Sequence, residues 1–178
     1  IDRDMLGWGV FFLVAGGGPA LRLGGALEPG TAAAWLSEHV GDGSRSGVAV
    51  VGIHAAYDSD ATAVAIASAD GDGRYFDLTD LTPDDEAALA SWLAESGPPK
   101  ALHEAKLAMH DLEGRGWALA GVTSDTALAA YLVRPGQRSF ALDDLSLRYL
   151  RRELRAETPE QQQLSLLDDS EGVDDQAV

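Results

Sequence analysis

Apolar residues fall into short runs and helically spaced sets, punctuated by Gly, Pro and Asp clusters, which predicts strands alternating with helices. Trp8 to Val14 is aromatic and β-branched. The Gly-Gly-Gly-Pro turn that follows, before Ala20 to Leu23, makes this stretch a hairpin of two short strands. Pro29, Gly30 and Thr31 open a helix in which Ala32, Trp35, Leu36 and Val40 recur near helical spacing, and Gly41 closes it. The run VAVVGI, Val48 to Ile53, is almost wholly apolar and predicts a central strand covered on both faces. Thr62 to Ala67 and Arg74 to Leu78 add two strands about the tight turn Asp70, Gly71, Asp72, Gly73, giving a three-stranded meander.

The second half alternates differently. Thr82 as N-cap, Pro83 at the first helical position and three acids in the first turn announce a helix carrying Leu89, Trp92 and Leu93 inward. Gly97, Pro98 and Pro99 end it. Lys100 to His103 is a short strand leading into a helix with Ala105, Ala108, Met109 and Leu112 on one face, stopped by Gly114 and Gly116. Ser124 or Asp125 caps a helix containing Ala127, Leu128, Tyr131 and Leu132, which Pro135 and Gly136 terminate. A last helix spans Leu142 to Arg152, with Phe140 and Tyr149 expected to bury their rings among Leu142, Leu145 and Leu150. The fold class expected is α/β, a mixed sheet flanked by helices. Three segments are expected: an N-terminal hairpin and helix over 1–45, part of or leading into the domain; a core over 46–157; and an acidic linker or tail over 158–178.

Composition narrows the function classes. With 178 residues, 46% of them apolar, one domain with a sizeable core is the default. The absence of cysteine removes disulfide scaffolds and thiolate zinc sites. The apolar stretch Val10 to Ala15 is too short to cross a bilayer and lacks a basic leader, so a cytoplasmic chain with no membrane association is expected. A formal charge of -16 opposes autonomous DNA binding, which is built on Lys and Arg. The charge is uneven: residues 41–86 hold ten acids and two arginines, whereas residues 134–155 hold six arginines and three acids. Arg148, Arg151 and Arg152 are therefore the DNA-contact candidates, against the simpler reading of solvated helix arginines.

Other constellations carry less. No Gly-rich loop is followed by Lys and Ser or Thr, GGGPALRLGGAL lacks the strand, turn and long helix of a dinucleotide site, and Ser124 beside Asp125 has no positioned His. His54, Asp58 and Asp60 could ligate zinc or manganese, but a strand end followed by a solvated Asp-containing turn explains them as well. His103, Glu104 and His110 fit a surface or core-edge role, and His39 near a helix end complements the helix dipole.

Four stretches taken in order carry a family resemblance. GVAVVGIHAAY resembles the first strand of the DEDD exonucleases, where an apolar run is followed by Asp-x-Glu. KALHEAKLAMHDLEGRGWAL is similar to their second motif region, a short strand and helix with Asn-x-Lys-x-Asp; SDTALAAYLVRP and FALDDLSLRYL resemble the Asp-Thr helix and the amphipathic helix that follow. Together these resemble the 3'-5' exonuclease domains of bacterial family A DNA polymerases, the DNA polymerase I family. The resemblance implies a ribonuclease-H-like sheet, and a parent chain whose polymerase domain binds DNA and requires magnesium. The family's reaction uses two metal ions held by carboxylates. At its metal-ligand positions this chain has Gly52 for the first Asp, His54 for the Glu and Ala108 for the second-motif Asp; Glu104 takes the Asn position and Lys106 matches. The third motif, a Tyr and Asp on a late helix, has no counterpart before Val178. The resemblance thus implies a structural, non-catalytic domain with no catalytic residues and no metal of its own. The alternative is an active metal-dependent nuclease with relocated ligands drawn from His54, Asp58, Glu104 or Asp111.

Overall fold

The computed structural model describes residues 22–23, 27–41, 43–54, 59–151 and 153–154. The strand expected at Trp8 to Val14, Asp58, Arg152, Arg155 and the 158–178 segment lie outside them. Six strands form one sheet: β1 (Arg22–Leu23), β2 (Ser46–His54), β3 (Ser59–Ala67), β4 (Asp72–Asp77), β5 (Lys100–Leu102) and β6 (Val122–Asp125). Their order is β1-β4-β3-β2-β5-β6. The β2-β3-β4 meander is antiparallel, while β5 adds parallel to β2 and β6 parallel to β5, so the sheet is mixed as expected. Parallel neighbours need a crossover, and helices supply it. The helices are α1 (Ala32–His39), α2 (Pro83–Ala94), α3 (Ala105–Gly114), α4 (Thr126–Val133) and the single turn α5 (Leu142–Leu145), which widens into a π-helical turn over Ser146–Leu150.

One face of the sheet meets α1, α2 and α3. Val64 and Ile66 of β3 and Phe76 of β4 bury against Trp35 and Leu36 of α1, Leu89 and Leu93 of α2, and Ala108 and Leu112 of α3. The alternate residues Ala65 and Ala67 are buried on the opposite face, with Ala49 and Tyr75 packed against them, as a two-residue period requires. α2 begins as its sequence predicts: Thr82 Oγ accepts from Asp85 N at 3.2 Å, and Pro83 follows. Asp85 then reaches out of its own helix, Oδ2 accepting from Gly30 N at 2.6 Å and Oδ1 from Ala32 N at 2.9 Å. It thereby caps α1, whose Thr31 side chain makes no cap bond.

Four expectations need correction. The run Val48 to Ile53 is not covered along its length: β5 pairs only with Ser46 and Gly47, and Ile53 is 65% exposed. The longest buried run is instead Ala63 to Ala67 of the alanine-rich β3, and β5 is buried at all three residues. On α3 the buried set is Ala105, Ala108, Asp111 and Leu112, while Met109 is 40% exposed. The last helix is only one α-turn before the π-helical turn, and Arg151, with φ at 58°, ends it. Tyr149, in that turn, lines a groove with Leu145 but leaves its ring 51% exposed. Phe140 meets Tyr131 edge-on, with ring centroids 5.7 Å apart. β6, whose sequence VTSD is short and polar, carried no strand signal beyond its capping Asp.

Candidate functional site

α3 crosses the end of the meander where β2 carries a register shift between Val51 and Gly52. Gly52 is the point of closest approach. A Cβ placed there would lie 2.7 Å from Asp111 Oδ1 and closer still to Cγ and Oδ2, inside van der Waals contact. The Asp111 carboxylate thus fills the volume that a side chain at 52 would need, and Asp111 is 1% exposed. Ser59, at the start of β3, donates its hydroxyl to Asp111 Oδ1. Gly114 closes the same joint, since a Cβ there would collide with the Ser59 carbonyl. Two glycines, a serine and a buried aspartate therefore lock α3 onto β2 and β3. Sequence reasoning missed Asp111 as a buried residue, although its place one turn beyond Ala108, beside Leu112, was a usable signal.

At the other end of α3, Glu104 is exposed and stands in the left-handed region, φ 57° and ψ 52°, which favours Gly or Asn. Its side chain makes no cap bond. The first turn of α3 is capped instead by Asp125, whose Oδ2 accepts from Ala105 N at 2.8 Å. The other oxygen, Oδ1, accepts from Ala127 N at 2.9 Å and Leu128 N at 3.2 Å, so one carboxylate ties together the starts of α3 and α4. Removing it as Asp125→Ala should cost about 2 kcal/mol, the upper end for a helix cap. Urea unfolding followed by circular dichroism measures this, and an unchanged midpoint would show that the two helix starts hold without it.

The remaining candidates separate. His103 is half-buried, with Nδ1 2.8 Å from Thr126 Oγ1. Burial drives its pKa below the usual histidine value, outweighing the upward pull of Glu104, Asp125 and Asp143. His110 is exposed. His39 does stand in the last turn of α1, where it also stacks on Trp35 and places Nδ1 2.8 Å from Asp70 Oδ2. Burial pushes the Asp70 carboxyl upward, but hydrogen bonds from Ser68, Asp72 N and His39 outweigh it and hold the pKa at about 2. Asp60 is exposed; His54 ends β2, and its side chain is outside the described set. Arg148 is half-buried in the π-helical turn and Arg151 is exposed just after it.

The metal pair that the family resemblance implies does not fit these side chains. Glycine has no side-chain donor at 52, and the Ala108 methyl, 5% exposed, lies within the core. Among the described residues no three His, Asp or Glu side chains gather as a metal site would need. Nor is any described helix long and apolar enough to cross a membrane.

Comparison with known proteins agrees with this architecture. The family model for the DNA polymerase I ribonuclease H-like domain matches residues 50–158. DNA polymerase I of Mycobacterium tuberculosis is 69% identical over 164 residues, covering 89% of this chain and 18% of that protein. The chain thus spans about a fifth of the length of such relatives. A solved structure, the POL domain of Pol1 from M. smegmatis in complex with DNA primer-template and dNTP, matches with a TM-score of 0.69 and 80% identity, covering 73% of this chain and 23% of that one. Escherichia coli RNase D, an exoribonuclease, matches at a TM-score of 0.56 and 17% identity, covering 86% of this chain and 44% of that one, a likeness of fold. The sheet is ribonuclease-H-like, and with the family model spanning more than half of its residues the chain belongs to the ribonuclease H-like, exonuclease-like domain family of DNA polymerase I.

Proposed function

We propose that this chain is the non-catalytic 3'-5' exonuclease-like module of a DNA polymerase I, a structural part of an enzyme of DNA replication and repair. The observation that carries the reading is the joint at Gly52: the position that the resemblance assigns to the first metal-binding Asp has no side chain, and the Asp111 carboxylate fills the space. Ala108, assigned to the second-motif Asp, offers only a methyl group to the core. Phosphodiester hydrolysis without a catalyst is so slow that enzymes supply accelerations of about 10¹⁷-fold or more, and loss of the metal ligands removes most of that. Primer-template binding and magnesium belong, on this reading, to the polymerase portion of the parent chain; the M. smegmatis POL domain in complex with primer-template and dNTP supports the first of these. A cytoplasmic location follows from that role.

The competing reading is a nuclease with relocated ligands drawn from His54, Asp58, Glu104 or Asp111, and the two of these whose side chains are described do not come together. Glu104 is exposed at the start of α3, whereas Asp111 is buried two turns further on. End-labelled single-stranded DNA incubated with the purified chain in magnesium or manganese should remain at full length. Metal-dependent shortening that disappears in Glu104→Gln or Asp111→Asn would overturn the proposal.

A further inference from the structure

The last turn of α1 and the turn between β3 and β4 meet through one imidazole. His39 Nδ1 lies 2.8 Å from Asp70 Oδ2, and Nε2 lies 3.7 Å from Asp72 Oδ2, so each ring nitrogen faces a carboxylate. The ring stacks on Trp35 with centroids 5.1 Å apart, and the side chain is only 18% exposed, which limits where it can turn. Asp72 is shared. Its other oxygen accepts from Arg74 Nη1 at 2.9 Å, and its backbone stands in register with Arg22 of β1. β1 lies at the edge of the sheet and pairs with β4 at Asp72 and Gly73. We propose that His39 is a proton-dependent latch that fastens the end of α1 to the β3–β4 turn and, through Asp72, steadies β1.

A neutral imidazole has one N–H and one lone pair, whereas the imidazolium carries an N–H on both nitrogens. Only the protonated ring can therefore combine a hydrogen bond to Asp70 with an ion pair to Asp72; the neutral ring turns a lone pair toward one of them. Burial pushes the Asp70 carboxyl up, but its bonds from Ser68, Asp72 N and His39 hold it at about 2, so it stays ionised wherever histidine titrates. Arg74 offsets part of the charge on Asp72, while Glu28 and Glu38 border the same surface depression as the ring and add negative charge around it. The doubly held state thus exists on the acid side of the imidazole's titration and gives way to a singly held one as the pH rises. At the start of α1 the order is reversed, because Asp85 holds Gly30 N and Ala32 N as a carboxylate and releases them in acid. α1 is accordingly fixed at both ends only at intermediate pH.

Hydrogen–deuterium exchange of the full-length parent protein, read by mass spectrometry and corrected for the intrinsic pH dependence of exchange, tests the latch. Between about pH 6 and about pH 8.5, on either side of histidine's ordinary range, protection of residues 36–41 and 68–74 is expected to fall about threefold. Residues 83–94 of α2 should keep their protection over the same range. His39→Gln, which has one donor group at every pH, should show reduced protection at both pH values and no fall. Asp72→Asn, which leaves the ring a single carboxylate, should lose most of the fall. An unchanged wild-type protein, an equal fall in α2, or a fall that His39→Gln retains in full would each overturn the proposal, and the first two are read from the wild-type protein alone.

Discussion

Replacing Gly52 by Asp, the substitution that would return a carboxylate to the first-motif position, is expected to lower the free energy of unfolding by about 3 kcal/mol rather than restore a metal site. The new Cβ has no room, because Asp111 Oδ1 lies 2.7 Å from where it would be built and Cγ and Oδ2 lie nearer. Moving Asp111 aside is costly, since it is buried and its carboxylate accepts the Ser59 hydroxyl. The substitution would also press a second carboxylate against the buried Asp111 carboxylate. Gly52→Ala separates the two costs, because it adds the steric conflict without the charge. Adding Asp111→Ala to Gly52→Asp should recover a large part of the loss, giving a coupling energy of about 2 kcal/mol in a double-mutant cycle, as expected of residues in direct contact. Urea midpoints of the four proteins supply the cycle. Strict additivity would show that Asp111 does not occupy the volume of the missing side chain.

This joint shows what the sequence makes legible and what it hides. The order of elements could be read because each local signal agrees with the final structure: Thr82 and Pro83 start α2, Asp125 starts α4, and the Asp-Gly repeat turns β3 into β4. The fold class followed from that agreement. Where reading by residue type failed, a contact between distant elements decided the outcome. Met109 lost its place in the core to Asp111 because α3 rests on a strand position without a side chain, leaving a space suited to a short polar group and not to a long thioether. Tyr149 stands half exposed in a π-helical turn that helical spacing cannot foresee. For the candidate site, that Gly52 and Ala108 stand where the resemblance aligns metal-binding carboxylates could be read from residue identity, but the filling of the space at 52 by Asp111, one turn beyond Ala108 on α3, is a contact between distant elements.

The Asp-Thr pair that resembles a family feature works here as a structural clamp, Asp125 joining the first turns of α3 and α4 while Thr126 Oγ1 meets His103. A clamp of this kind keeps the crossover helix seated on the sheet whether or not the groove beside it binds metal. The proposed non-catalytic role is physically consistent with the fold, because these interactions hold α3 in place without the positions that the resemblance assigns to metal ligands.

Asp85 holds an analogous place between the two N-terminal helices, and its loss is the other large effect expected. Asp85→Ala should lower stability by about 3 kcal/mol, because it leaves two helix-start N–H groups and a hydroxyl without their charged acceptor. Asp85→Asn should be nearly as damaging. Both carboxylate oxygens accept, Oδ2 from Gly30 N and Thr82 Oγ and Oδ1 from Ala32 N, so an amide must aim its NH₂ at one of these donors. Acid should reproduce the loss. Burial pushes the Asp85 carboxyl up, but the bonds from Gly30 N, Thr82 and Ala32 N outweigh it, and its pKa lies below the usual carboxylate value. A depressed folded-state pKa means that the stabilisation is fully present above the unfolded value of about 3.9 and is lost as the pH falls through the folded one. The difference in urea midpoint between the wild-type chain and Asp85→Ala should therefore be constant from neutral pH to about 5 and shrink below about 4, where the wild-type carboxylate takes up a proton. A difference that persisted unchanged into strong acid would mean that Asp85 holds α1 by shape and not by charge, and α1 would then have to be secured by Trp35 and Leu36 in the core alone.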